Sequence, residues 1–234
     1  MVNREELLKR VESQVRKQLA RPDMKLIAAV HTRDSIINVT NILYERLEEW
    51  VTLHDIKIKG RSLPDRVRSV EKQITSLPKG DQKVLAELIE RIKDMMMYRK
   101  MLNEYIDRLT DDCCPNVKHL VGSDLAAQLI TLAGGVERLA LFPASTVQLL
   151  GAEKALFRHI KTGAKPPKYG VLFKHPKVIH APRKKKGKIA RIIAAHVSIA
   201  ARADAFTGNW IGDRLKEDME KRIREVLGEK EGKK

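Results

Sequence analysis

The chain has 234 residues, 43% of them apolar, with 46 Lys plus Arg against 30 Asp plus Glu, hence a formal net charge of +16. That is too apolar for a disordered chain and long enough for a packed core, while no run reaches the roughly 18 uninterrupted apolar residues of a membrane-spanning helix. The two cysteines, Cys113 and Cys114, are adjacent, which excludes a disulfide framework and a structural zinc site and points to a reducing compartment.

The first residues, Met1 to Glu6, are polar and acidic, so no secretory leader is expected. Asn3 with Glu6 reads as a capping-box variant, ahead of Leu7, Leu8, Val11, Val15 and Leu19 at helical spacing. Pro22 breaks that helix or starts the next. The second helix is predicted from about Asp23 to His54, with Ile36, Val39, Leu43, Leu47, Trp50 and Leu53 as its apolar stripe. A connection with Gly60, Pro64, Pro78 and Gly80 follows, holding a short helix around Arg66 to Leu77. From Asp81, the positions Leu85, Leu88, Ile92, Met95, Leu102, Ile106 and Leu109 alternate by threes and fours as a coiled-coil seam, with Arg99 intruding. Such a seam needs a partner, either the second helix as an antiparallel arm or a second copy of the chain.

Asp111 to Pro115 marks a boundary between a coiled-coil arm, residues 1–112, and a globular helical domain, residues 113–228, with a frayed tail at 229–234. In the second domain one helix is predicted from Asn116 to Ala133, stopped by Gly134-Gly135. Ser145 and Gln148 read as a capping box after Pro143. A helix after Gly151 runs to about Lys161, and Tyr169 to Phe173 is a short strand or extended loop. An Ala-rich helix from Lys188 to Phe206 and an amphipathic one from Trp210 to Leu227 complete an all-α fold.

The charge is segregated. From Lys154 to Ala203 there are fourteen Lys or Arg and no Asp or Glu, leaving +2 for the rest of the chain. Apolar groups interrupt this segment, so it reads as a folded polyanion-binding surface and not as a solvated tail; the alternative is a coiled-coil protein–protein adaptor whose basic face is only solubilising or binds nucleic acid non-specifically. At 100° per residue, Lys154, Arg158 and Lys161 share one face of the helix after Gly151, with Ala152, Leu156 and Ile160 opposite, toward the core. Like charges so placed repel unless an anion lies between them. Phe157 flanks the basic face and either packs inward or meets a partner. The run Arg183-Lys184-Lys185-Lys186-Gly187-Lys188 enters a helix that keeps Lys188, Arg191 and Arg202 on one edge; it reads as a phosphate site if the helix amides are free, or equally as a localisation signal or a mobile loop.

Catalysis finds no support. His159, His175, His180 and His196 have no carboxylate near them in sequence, His196 reads as a core histidine, and there is no Gly-rich phosphate loop or metal-ligand set. Aromatics are 4% of the chain, too few for single-strand stacking, so a folded RNA or duplex read by shape is the expected target.

The stretch Gly151-Ala152-Glu153-Lys154-Ala155-Leu156-Phe157-Arg158-His159 resembles the signature of the Nop-domain family, the scaffold proteins of box C/D ribonucleoproteins and a spliceosomal relative. Pro143-Ala144-Ser145-Thr146, Lys161-Thr162-Gly163, Pro167-Lys168-Tyr169-Gly170, Gly187-Lys188-Ile189-Ala190-Arg191 and Ile199 to Asp204 agree in order and spacing. In the arm, Glu45 to Trp50 and Leu53-His54 resemble the end of the family's first coiled-coil helix. The resemblance implies a coiled-coil arm, with self-association in archaeal members, joined to a Nop domain. That domain binds a composite of kink-turn RNA and the small ribosomal-type protein seated on it, without cofactor or membrane. By motif, Gly151, Ala152, Glu153, Ala155, Leu156 and Phe157 would face the protein, and Lys154, Arg158 and His159 the RNA. Lys161, Lys165, Lys168, Arg183, Lys184, Lys185, Lys186, Lys188 and Arg191 join the RNA set from their charge. The resemblance places the chain in the cytoplasm of an archaeon or the nucleus and nucleolus of a eukaryote.

Two departures stand out. Family scaffolds carry an N-terminal domain that recruits fibrillarin, whereas only about twenty residues precede the arm here, so direct fibrillarin binding is not expected of this short paralogue or fragment. Asp55-Ile56-Lys57-Ile58-Lys59-Gly60 also replaces the family's aromatic-proline segment, so the tip of the arm should differ.

Overall fold

The computed structural model describes residues 4–228. The expected cap at Asn3 and the tail 229–234 lie outside them. The described residues form helices and no β-strand, which is the all-α class read from the sequence. In chain order these are α1 (Arg4–Leu19), α2 (Pro22–Thr52), α3 (Leu63–Gln73) with a 3-10 turn at Ile74–Ser76, α4 (Lys79–Cys113), α5 (Pro115–Val121), α6 (Ser123–Ala133), α7 (Val136–Leu141), α8 (Ala144–Leu149) and α9 (Glu153–Thr162). A 3-10 turn at Val171–Lys174, α10 (Pro176–Ile179), α11 (Lys186–Arg202), a π-helical turn at Ala203–Thr207 and α12 (Gly212–Leu227) complete the chain. Two compact units result, one of Met1–Val30 with Tyr105–Lys234, the other of His31–Glu104.

In the smaller unit, Tyr44, Leu47 and Val51 of α2 share one apolar cluster with Val67, Val70 and Ile74 and with Leu85, Ile89 and Ile92 of α4. The seam therefore finds partners inside the chain here. Leu85, Ile92 and Leu102 are buried, and Leu88 and Met95 half-buried. Each fully buried aliphatic side chain of this size is worth about 1.5–3 kcal/mol. The stripe expected on α2 is rotated: Leu47 is inside, but Val39 and Leu53 are exposed, and Tyr44 and Val51 take inner positions. A tyrosine can do so because its hydroxyl is satisfied. It donates to Glu48 at 2.5 Å, and the Arg66 guanidinium lies 5.7 Å from the ring centre.

In the larger unit, Ile106 and Leu109 close the seam against Leu26, Ala29 and Val30. The Ala-rich α11 is the central element, burying Ile189, Ala190, Ile193, Ala194, Val197, Ala200 and Ala201 among α5, α7, α8 and α12. Its alanines let several neighbours approach closely. The single helix expected from 116 to 133 is two, broken at Gly122, whose φ of +83° an L side chain resists. The N-terminus of α5 is capped from far away in sequence. The Asp204 carboxylate accepts the Asn116 and Val117 amides at 3.1 and 3.0 Å and the Asn116 side-chain amide at 2.7 Å. Burial nonetheless holds this carboxyl above the usual carboxylate range.

His196 is buried as expected, but it does have a carboxylate. Its Nε2 lies 2.9 Å from Asp218 Oδ2 and its Nδ1 2.7 Å from the Ile192 carbonyl, so both nitrogens face acceptors. Asp218 sits on α12, beyond the reach of a local sequence reading. The hydrogen bond from His196, with Arg222 beside it, lowers the Asp218 pKa.

Candidate nucleic-acid interface

The platform for α9 is built by a close backbone approach. The Gly170 amide donates to the Gln148 carbonyl at 2.8 Å, and the Val171 amide to the Leu150 carbonyl at 2.7 Å. A Cβ on Gly170 would lie 1.8 Å from the Leu150 oxygen, so glycine is required there. Tyr169 to Phe173 is therefore neither strand nor open loop: it pairs briefly with the end of α8 and then winds into the 3-10 turn. The expected Ser145–Gln148 capping box is absent, Pro143 occupying the cap position without a side-chain bond. Gln148 turns inward instead, where Nε2 donates to the Lys168 carbonyl at 2.6 Å and faces the Gly187 carbonyl at 3.4 Å. One buried amide thus ties the 165–168 loop to the start of α11.

Gly151, at φ +81°, makes the turn into α9, and its amide donates to Glu153 Oε1 at 2.7 Å. None of the ten residues of α9 is buried. Lys154, Arg158 and Lys161 project from one face, all exposed. Ala152, Ala155 and Leu156 are half-buried, but Ile160, expected to point to the core, is 74% exposed and Phe157 is 67% exposed. The helical pattern holds in part: Ala152 and Leu156 turn toward the unit, whereas Ile160, with Phe157 beside the charges, faces solvent. His159 is half-buried, its Nδ1 bonded to the Ala164 carbonyl, which ties down the turn after the helix.

Beside Gln148, a cleft of about 460 Å³ is lined by Lys165, Pro166, Pro167, Lys168, Lys184, Gly187, Lys188 and Arg191. It gathers five exposed cations of the predicted set and no acid. Arg183 is exposed outside this lining. Lys185 and Lys186 are turned to structural tasks: Lys185 Nζ donates to the Leu227 carbonyl at the end of α12, and Lys186 Nζ to the Ile179 carbonyl, lying 4.9 Å from the Phe173 ring centre. Most amides at the start of α11 are engaged as well. Those of Lys185 and Lys186 donate to the Pro182 carbonyl, and those of Lys188 and Ile189 to the Lys185 carbonyl, because the turn after Pro182 runs directly into the helix. An anion in this cleft would therefore meet chiefly side-chain cations. Arg202 is likewise occupied, its Nε donating to the Ala140 carbonyl at 3.2 Å.

An unburied helix with adjoining basic and apolar stripes, beside an acid-free cleft of cations, defines a helical protein with a concentrated basic surface. A family model described as Nop, snoRNA binding domain, fibrillarin, matches residues 52–225, and the chain belongs to that family. It is 36% identical over 244 residues to an uncharacterized NOP5 family protein of Methanocaldococcus jannaschii, covering 90% of this chain and 59% of the relative. It is 31% identical over 255 residues to nucleolar protein 56 of Caenorhabditis elegans, covering 90% of this chain and 52% of the relative. The chain thus spans little more than half the length of these relatives. Among solved structures it matches a chain of a fibrillarin/Nop5p complex, with 29% identity and a TM-score of 0.65, over 95% of this chain and 77% of that one.

Proposed function

We propose that the chain is an RNA-binding scaffold of a box C/D-type ribonucleoprotein that docks on a composite of kink-turn RNA and the small ribosomal-type protein bound to it. The observation that carries this is α9, which leaves Phe157 and Ile160 exposed beside Lys154, Arg158 and Lys161. A bare RNA surface would leave the apolar stripe without a partner, and a bare apolar protein surface would leave three cations unmatched. A surface made of both serves the whole helix. The cleft of Lys165, Lys168, Lys184, Lys188 and Arg191 extends the phosphate-binding side. Membership of the Nop family and likeness to a Nop5p chain support the reading. It assigns no residue of this chain to fibrillarin, and it places the protein in the cytoplasm of an archaeon or the nucleolus of a eukaryote. The exposed Met97, Tyr98 and Met101 on α4 support a second contact, self-association through the smaller unit.

The test is a mobility-shift titration on a kink-turn RNA with and without the small kink-turn protein. The wild-type chain is expected to bind the preformed complex, with log K falling by about 0.7–0.9 per phosphate neutralised for each unit of log salt. Lys154→Glu with Arg158→Glu should weaken binding and flatten that slope. Phe157→Ala should weaken it by about 2 kcal/mol, as a buried aromatic anchor does, and leave the slope unchanged. An affinity indifferent to salt and to the charge reversals would refute the proposal.

A further inference from the structure

The smaller unit carries a second basic surface, separate in sequence from the acid-free segment. After α2 the chain alternates: Ile56 and Ile58 pack against the apolar cluster, and Lys57 and Lys59 are exposed. This extended segment is pinned to α3. The Lys59 amide donates to Ser69 Oγ at 3.1 Å, and Gln73 Nε2 to the Lys57 carbonyl at 3.0 Å. Gly60, at φ +134°, lies so close to the start of α3 that a Cβ would sit 2.8 Å from the Arg66 amide nitrogen. Lys59 is thereby fixed beside Arg68 and Lys72, which lie four residues apart on the exposed side of α3. Lys59, Asp65, Arg68, Ser69, Lys72 and Gln73 line a cleft of about 470 Å³.

Asp65 is the one acid of the lining, and the acids beside it are engaged with other cations. Glu71 pairs with Lys93 at 2.5 Å, Glu48 with Arg66 at 3.5 Å, and Asp65 accepts the Ser62 hydroxyl at 2.6 Å in the cap of α3. Lys59, Arg68 and Lys72 pair with no acid among the described residues. Like charges held together in this way repel unless an anion joins them. The lining contains no apolar or aromatic side chain, so it offers nothing to insert into a lipid layer or to stack on a base. Three cations against the single carboxylate of Asp65, with a hydroxyl and an amide among them, leave the lining net positive and suit the continuous charge of a phosphate backbone.

We propose that this cleft is a second nucleic-acid site, which holds the phosphate backbone of an RNA duplex without regard to its sequence. It does not depend on the kink-turn reading, because it uses other residues and needs no protein on the RNA. The test uses the full chain and a blunt RNA duplex lacking any kink-turn, followed by fluorescence anisotropy across a salt series. Lys59→Glu, Arg68→Glu and Lys72→Glu together should weaken duplex binding about tenfold or more at low salt and reduce the salt slope by about 2–3. The milder pair Arg68→Gln and Lys72→Gln, which keeps the helix, should give an intermediate loss. In Lys154→Glu with Arg158→Glu, peptides spanning 57–73 should still cross-link to the duplex. Failure of the wild-type chain to bind the duplex would overturn the proposal, as would an unchanged affinity and slope in the triple variant. Tighter wild-type binding to phosphatidylserine vesicles or polyglutamate at equal ionic strength would overturn it too. The kink-turn titration and the duplex titration fail independently, so each reading is tested alone.

Discussion

Gly170→Ala tests how α9 is held. The added Cβ would lie 1.8 Å from the Leu150 oxygen, and ordinary contact demands a retreat of roughly 1.5 Å by one of the two segments. Such a movement breaks the paired bonds from the Gly170 and Val171 amides, now 2.8 and 2.7 Å long. Each net bond is worth about 1 kcal/mol, and leaving the groups unsatisfied costs more, so the expected destabilisation is about 2–4 kcal/mol. For a domain of this size that lowers the thermal midpoint by about 4–16 °C. The same retreat draws the Lys168 carbonyl away from Gln148, loosening the loop that carries Lys165 and Lys168. Binding to the kink-turn complex should therefore fall several-fold at a temperature where the variant remains folded. Circular dichroism melts and the mobility shift read the two effects. A variant within about 0.5 kcal/mol of the wild type would show that the two segments are not in this contact, and the account of how α9 is positioned would fail with it.

Asp204→Ala removes three accepted hydrogen bonds from the start of α5 and should cost about 2–4 kcal/mol in urea unfolding at neutral pH. Because burial raises this carboxyl above its ordinary 3.8, the folded state keeps the proton longer than the unfolded one. The wild-type advantage over the variant should therefore be largest below about pH 4 and shrink as pH rises through the raised value, and a constant difference would refute the assignment. Ile92→Ala, at a fully buried seam position, should cost about 2–5 kcal/mol by cavity formation in the smaller unit, and a loss under 1 kcal/mol would mean that the seam is not packed as described.

Local periodicity carried much of the fold. Seven apolar positions at coiled-coil spacing from Leu85 to Leu109 located α4, and Gly134 located the end of α6 at a left-handed residue. What escaped were features set by distant partners. Asp204 caps a helix 88 residues away in the chain, and Asp218 meets His196 across 22 residues. Tyr44 displaced the expected α2 stripe because Glu48 satisfies its hydroxyl. A short-range rule can be outbid: Ser145 and Gln148 have the spacing of a capping box, yet two backbone carbonyls brought in from Lys168 and Gly187 claim the glutamine.

The candidate site shows where a hydrophobic pattern ceases to be evidence for a core. Leu156 and Ile160 sit opposite the charges of α9 as the 3.6-residue period requires, and in a covered helix that side would be buried. Here only the side of Ala152, Ala155, Leu156 and His159 is partly covered, and Ile160 falls outside it. The pattern is a property of the helix, whereas burial depends on what the rest of the chain can bring to it. Charge was the more informative signal because it has no such ambiguity: a fold cannot hide five cations in one acid-free cleft without an anion. Lys165, Lys168, Lys184, Lys188 and Arg191, scattered over 27 residues of sequence, are gathered at the surface by one buried glutamine. Lys185 and Lys186, in the middle of the same basic run, are drawn instead to backbone carbonyls at the ends of neighbouring helices. Adjacent residues of one charge thus divide between exposed cleft and scaffold according to the acceptor each can reach.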